Sequence, residues 1–127
     1  MSEQSQYRII YLAPAQRDLL RFRDFLVDRG VAVQRAQEII REIVISLRIL
    51  TNNPRIGFSM GGKYGFHTPY RGLVCGKYVA VYEVFDPLSG VARDDINNTG
   101  GTEGYIEIRR IYHIREDHIN QLMTGIV

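Results

Sequence analysis

The segment "PYRGLVCGKYVAVYEVF", residues 69–85, predicts a β-hairpin and so decides the kind of fold. Its valines and aromatic residues are typical of strands, and "CGK" at residues 75–77 supplies a short turn between two such runs. A third run, "GYIEIRRIYHI" at residues 104–114, predicts another strand. Its two-residue alternation places three side chains on one face of that strand, namely Ile106, Ile108 and Arg110.

The segments around these strands have the composition of turns and loops. Residues 86–104 are rich in Gly, Asn and Asp, which favours a long solvated loop. "MGGKYG", residues 60–65, lacks the strand–loop–helix setting and the Lys-Ser/Thr pair of a phosphate-binding loop, so we expect a flexible turn. Residues 116–127 are expected to form a short helix or a tail.

The first half of the chain predicts one strand followed by two helices. Residues 7–12 form the strand, residues 13–30 the first helix, and about residues 31–52 the second, ended by "TNNP". Gly30 leaves only a tight turn between the helices, so we expect an antiparallel hairpin packed on the sheet. The prediction is an α+β fold of order β-αα-βββ, with a small, largely antiparallel sheet, in one domain spanning residues 1–127.

Composition and charge narrow the class of protein. The 127 residues are 45% hydrophobic and 24% charged, as in globular proteins, and no apolar run is long enough to cross a bilayer. The polar N-terminus lacks the apolar core of a signal peptide, so we expect a cytoplasmic protein. Cys75 is the only cysteine, and we expect it to be inert packing at the turn. Arginines dominate the basic residues, which hints at a surface that recognises carboxylate or phosphate.

The stretch "RRIYHIREDH", residues 109–118, is the candidate functional segment. Histidine titrates near neutral pH, so His113 is a candidate proton carrier, and Arg115 a candidate phosphate clamp. The alternative is that His113 is packed at the end of a strand while Arg115 forms a salt bridge or contacts a partner. His67 and His118 are expected to be exposed polar residues, and no pair of histidines has the spacing of a metal site.

Four segments together resemble the ParE/RelE superfamily, the toxins of bacterial type II toxin–antitoxin systems. "YLAPAQRDLLRFRDFLVDRG" is similar to the family's first strand and helix, and "LRILTNNPRIGF" to the end of its second helix. "YRGLVCGKYVAVYEV" resembles the central hairpin, and "IEIRRIYHIRED" the closing strand, which in ParE-like members ends in His-x-x-Arg or His-x-Arg. Their order and spacing over residues 7–118 carry the resemblance. The loop at residues 86–104 is longer than the family's usual hairpin.

The superfamily contains two mechanisms, and the resemblance implies different residue roles in each. RelE-like members cleave mRNA on the ribosome, whereas ParE-like members bind DNA gyrase and break no bond themselves. The nucleases carry a basic residue after the first Tyr of Tyr-x-x-x-Tyr, where this chain has Val79, and an aromatic near the C-terminus, where it has none. We therefore prefer a gyrase inhibitor that is not an enzyme. If the chain is a nuclease, the active residues are Arg71, His113 and Arg115.

The resemblance also implies the partners. A cognate antitoxin, in a toxin–antitoxin hetero-oligomer, is expected to contact Arg71, Arg110, His113 and Arg115, the residues that also serve for the target. A second alternative to the gyrase inhibitor is a degenerate member that only binds its antitoxin and co-represses the operon. Growth inhibition and plasmid maintenance are the roles implied for the active toxins. No cofactor, metal or membrane is implied.

Overall fold

A computed structural model describes residues 6–65, 67–87 and 103–115. Most of the predicted loop at residues 86–104 and the predicted helix or tail at residues 116–127, with His118, lie outside the described residues. The elements follow the chain in the order β1 (Arg8–Tyr11), α1 (Ala13–Asp28), α2 (Val33–Leu47) with a 3₁₀ turn (Arg48–Thr51), β2 (Phe58–Ser59), α3 (Met60–Tyr64), β3 (Arg71–Cys75), β4 (Tyr78–Phe85) and β5 (Tyr105–His113).

The strands form one five-stranded sheet in the order β1-β5-β4-β3-β2. β1 runs parallel to β5, and the other neighbouring pairs are antiparallel. The predicted α+β class and the order β-αα-βββ are confirmed. The first strand of the chain lies next to the last, so the two ends of the described fold are joined in the sheet.

The helical hairpin covers one face of this sheet. Gly30, between α1 and α2, has a φ of 96°, which glycine adopts without steric cost, so the chain reverses there as expected. The apolar face of α1 packs mainly against β5, and α2 packs against α1 and β3. The side chains buried in this core include Ala15, Phe22, Ile43, Leu47, Leu50, Ala80, Tyr82, Ile106, Ile108 and Ile111.

β2 and α3 were not predicted, and the prediction of a flexible turn at residues 60–65 was wrong. The segment forms a short helix whose N-terminus is capped by Ser59, because the Ser59 hydroxyl accepts a hydrogen bond from the Gly62 N–H at 3.1 Å. Gly65 ends the helix with a φ of 79°. Capping and contact with the sheet therefore outweigh the low helix propensity of its two glycines. Met60 is buried against Val81 and Tyr112 on the sheet's other face.

A β-bulge in β5 changes which side chains share a face. Val81 pairs with Arg110 but the next residue, Tyr82, pairs with Ile108, so Arg109 is the extra residue. Beyond the bulge the alternation is shifted by one. Ile111 therefore joins Ile106 and Ile108 in the core under the helices, and the predicted placement of Arg110 on that face was wrong.

Candidate functional site

Arg110 is held by a buried carboxylate at the point where β1 ends. Asp18, which is 3% exposed, accepts hydrogen bonds from Nε and Nη2 of Arg110 at 2.8 and 3.1 Å. The same carboxylate accepts the backbone N–H of Ile111 at 2.8 Å, in the place of a neighbouring strand's carbonyl. Arg110 is thus anchored inside the fold, with 25% of its side chain exposed.

Arg71 is likewise bonded within the protein. Its guanidinium donates hydrogen bonds to the carbonyl oxygens of Arg55 at 3.1 Å and Gly57 at 2.8 Å. The neighbouring Tyr82 hydroxyl accepts the N–H of Gly57 at 3.0 Å, and burial raises the pKa of Tyr82. Arg71 and Tyr82 together fasten the segment before β2 to the sheet.

His113 ends β5 and orients the residues that follow it. Its ring packs edge-on against Tyr78, with 5.2 Å between the ring centroids. Its Nδ1 accepts the backbone N–H of Arg115 at 3.1 Å. The expected packing of His113 at a strand end agrees with this geometry. His113 lies beside α1, and the two together line a larger surface.

That surface is a depression of about 750 Å³ between α1 and the ends of β4 and β5. We call it the arginine depression, and the residues that line it are Arg21, Phe22, Phe25, Leu26, Arg29, Tyr78, His113 and Arg115. It brings two of the predicted contact residues, His113 and Arg115, together with two arginines of α1. Among residues 6–65, 67–87 and 103–115, none that lines it is acidic. The depression therefore combines three guanidinium groups with an apolar floor.

Sequence reasoning missed Arg21, Phe25 and Arg29, although a signal was present. The three residues are spaced four apart in α1, and residues at that spacing lie on one face of a helix. Each arginine stacks on an aromatic ring. Arg21 lies 4.7 Å from the centroid of Phe22, and Arg29 lies 4.8 Å from that of Phe25. Arginine and a large apolar residue alternate at four-residue steps along α1, and this pattern would have predicted an exposed stripe of both residue types.

The family model described as "ParE toxin of type II toxin-antitoxin system, parDE" matches residues 9–118. The chain belongs to the ParE toxin family. Among solved structures, the toxin's fold is similar to a chain described as "Chromosomal ParDE TA system from P. aeruginosa", with a TM-score of 0.60 and 16% identity over 87% of this chain and 98% of that one. At that identity the likeness concerns the fold alone. A comparison with curated proteins finds no significant match.

The three residues named for a RelE-like nuclease do not converge in this ParE-family toxin. Arg71 pairs with Tyr82 across β3 and β4, whereas His113 pairs with Tyr78, four residues away on β4 and on its other side. Strand spacing puts their backbones roughly 16 Å apart. Val79, at the position where the nucleases carry a basic side chain, is 4% exposed.

Two remaining features bear on other classes of site. Cys75 is buried, and burial raises the pKa of its thiol to about 11, so the thiol stays protonated at neutral pH. Within residues 6–65, 67–87 and 103–115, no three His, Cys, Asp or Glu side chains are grouped to hold a metal ion. No helix in the same ranges is long and apolar enough to span a bilayer.

Proposed function

We propose that this ParE-family toxin inhibits DNA gyrase by binding to it, and that a cognate antitoxin neutralises the toxin in the cytoplasm. One observation carries the choice of a binding mechanism: Arg71 is bonded to backbone carbonyls and lies far from His113 and Arg115. Cleavage of RNA needs a base, an acid and phosphate-binding cations around a single phosphate. A protein that only docks needs a surface, and the arginine depression is one.

The test is to add purified toxin to a gyrase supercoiling reaction and, in parallel, to a translation reaction. We expect supercoiling to stop and linear plasmid to appear after the protein is denatured, while translation continues. A protein without effect on gyrase that stops translation and leaves mRNA ends inside the ribosomal A site would contradict the proposal.

A RelE-like, ribosome-dependent mRNA endonuclease is the second candidate, because His113 and Arg115 do share the depression with Arg21 and Arg29. These residues include a group able to carry a proton and three able to hold a phosphate. The variant His113→Gln separates the candidates. Glutamine keeps a hydrogen-bond acceptor for the Arg115 N–H but does not carry a proton at neutral pH.

We expect induction of the His113→Gln variant to kill cells almost as effectively as induction of the wild-type toxin. A nuclease that lost its general acid or base would lose roughly 10²–10⁴-fold in rate. Arg115→Ala, which removes a guanidinium fork, is expected to weaken toxicity more. Circular dichroism must show both variants folded. A folded but harmless His113→Gln protein would favour the nuclease.

A further inference from the structure

We propose that the arginine depression is the docking site of an acidic peptide segment that carries an apolar side chain, and that the antitoxin supplies this segment. The source of the segment rests on the proposed function, whereas the chemistry of the site does not. The sequence had pointed to Arg71, Arg110, His113 and Arg115 for this contact. The structure commits Arg71 to two carbonyls and Arg110 to Asp18. It keeps Arg115 at the depression and adds Arg29 and Arg21, of which Arg21 also contacts Asp18 at 3.4 Å.

The charge of the depression fits carboxylates. Three guanidinium groups face it, and none of the lining residues within the described part of the chain is acidic. Within the described part of the chain, the exposed Arg29 and Arg115 take part in no ion pair. The stacking of Arg29 on Phe25 restricts its rotamers before any partner arrives. A guanidinium held in this way can bind a carboxylate through two parallel hydrogen bonds with less loss of entropy.

The apolar residues of the depression indicate that its ligand carries an apolar side chain as well as negative charge. Phe25 is 52% exposed, and Phe22 packs against Tyr78 with 4.8 Å between ring centroids, which gives the depression an aromatic wall. A large apolar side chain laid against Phe25 and Leu26 would remove this surface from water, which is favourable in proportion to the area covered. A volume of about 750 Å³ accepts several side chains of a peptide.

The acidic residues beside the depression disfavour a nucleic acid in the same place. Asp24 and Asp28 line the adjoining groove on α1 together with Arg17, Arg21 and Arg110, so the charge of that groove is mixed and not uniformly basic. A nucleic acid carries a negative charge at every phosphate, so a strand continuing past the depression would meet these carboxylates. A short peptide segment can place its acids on the arginines alone.

The test uses the full-length toxin and two fluorescent peptides of equal length. One alternates glutamate with leucine, and the other has glutamine in place of each glutamate. We expect the glutamate peptide to bind and the glutamine peptide to bind much more weakly, as measured by anisotropy. In the double variant Arg29→Gln/Arg115→Gln, we expect the Kd of the glutamate peptide to rise about 10- to 100-fold, the scale of losing two anchoring contacts.

Arg41→Gln is the matched control, since Arg41 is an exposed arginine of α2 that does not line the depression. It should leave the Kd within about twofold, as for contacts outside an interface. Equal binding of both peptides, or an equal effect of the control and the double variant, would overturn the proposal. So would a single-stranded oligonucleotide that binds more tightly than the peptide through the same arginines.

The result of the peptide-binding test can be distinguished from the result of the gyrase test. Peptide binding that depends on Arg29 and Arg115 would support the docking site even if the toxin proved inactive on gyrase. If the toxin inhibits gyrase but does not bind the glutamate peptide, the proposed docking site is contradicted and the proposed function is not.

Discussion

At the scale of single residues, Asp18 is the one charged side chain among the described residues that is buried. It sits where β1 has ended and α1 has begun, and it satisfies the backbone of Ile111 as well as the guanidinium of Arg110. Arg21 adds a longer contact at 3.4 Å, so the network also reaches the edge of the arginine depression. A buried charge of this kind is tolerable because several donors compensate for the water that the carboxylate has lost.

Replacing Asp18 with alanine should lower the free energy of unfolding by about 3 kcal/mol, because the buried Ile111 N–H would lose its acceptor and Arg110 would lose its paired carboxylate. Urea denaturation measures the loss. Asp24→Ala, an exposed acid of the same helix, is the matched control and should change stability by no more than about 0.5 kcal/mol. Equal losses in the two variants would mean that the Asp18 network contributes nothing.

At the scale of elements, the sequence predicted what depends on local patterns and missed what depends on pairing. The helices and the three long strands have clear periodicity, and their order was correct. The bulge at Arg109 exists only because β5 must match β4 in register, and no pattern within β5 reveals it. β2 has two residues, too few to show alternation, and β3 and Tyr82 hold it in place.

The seating of β2 depends on the absence of a side chain at Gly57. A Cβ there would collide with the carbonyl oxygen of Gly72 and would lie 2.7 Å from the Tyr82 hydroxyl. Gly57→Ala should therefore push β2 away from β3 and cost about 1–3 kcal/mol in stability, measured by thermal or urea unfolding.

Gly62→Ala is the control for this variant. A Cβ at Gly62 would meet only Ser59, at 3.6 Å, and alanine favours a helix by up to about 1 kcal/mol over glycine. It should be neutral or slightly stabilising. A Gly57→Ala protein as stable as wild type would show that β2 has room to shift.

At the scale of the whole molecule, the candidate site is assembled from parts that are distant in sequence. The arginine depression joins the middle of α1 to Tyr78 and to the end of β5. The partner of Arg110 lies 92 residues earlier in the chain. The sequence identified His113 and Arg115 as candidates because they stand in a conspicuous cluster. It could not tell which arginines the fold would bond internally and which it would leave at the arginine depression.

The last prediction concerns the complex. We expect the protein encoded beside this toxin to be small and acidic, to co-purify with it when the two genes are expressed together, and to abolish its effect on gyrase. Because such a partner binds only the folded toxin, it should raise the unfolding temperature, by the equivalent of about 2.7 kcal/mol when its free concentration is 100 times Kd. Part of the binding is between charges, so the complex should weaken between about 0.1 M and 1 M salt, where the screening length falls from about 10 Å to 3 Å. A toxin that is expressed freely, harmlessly and without a partner would count against the proposed function, whereas a harmless protein that still binds its neighbour would point to a co-repressor.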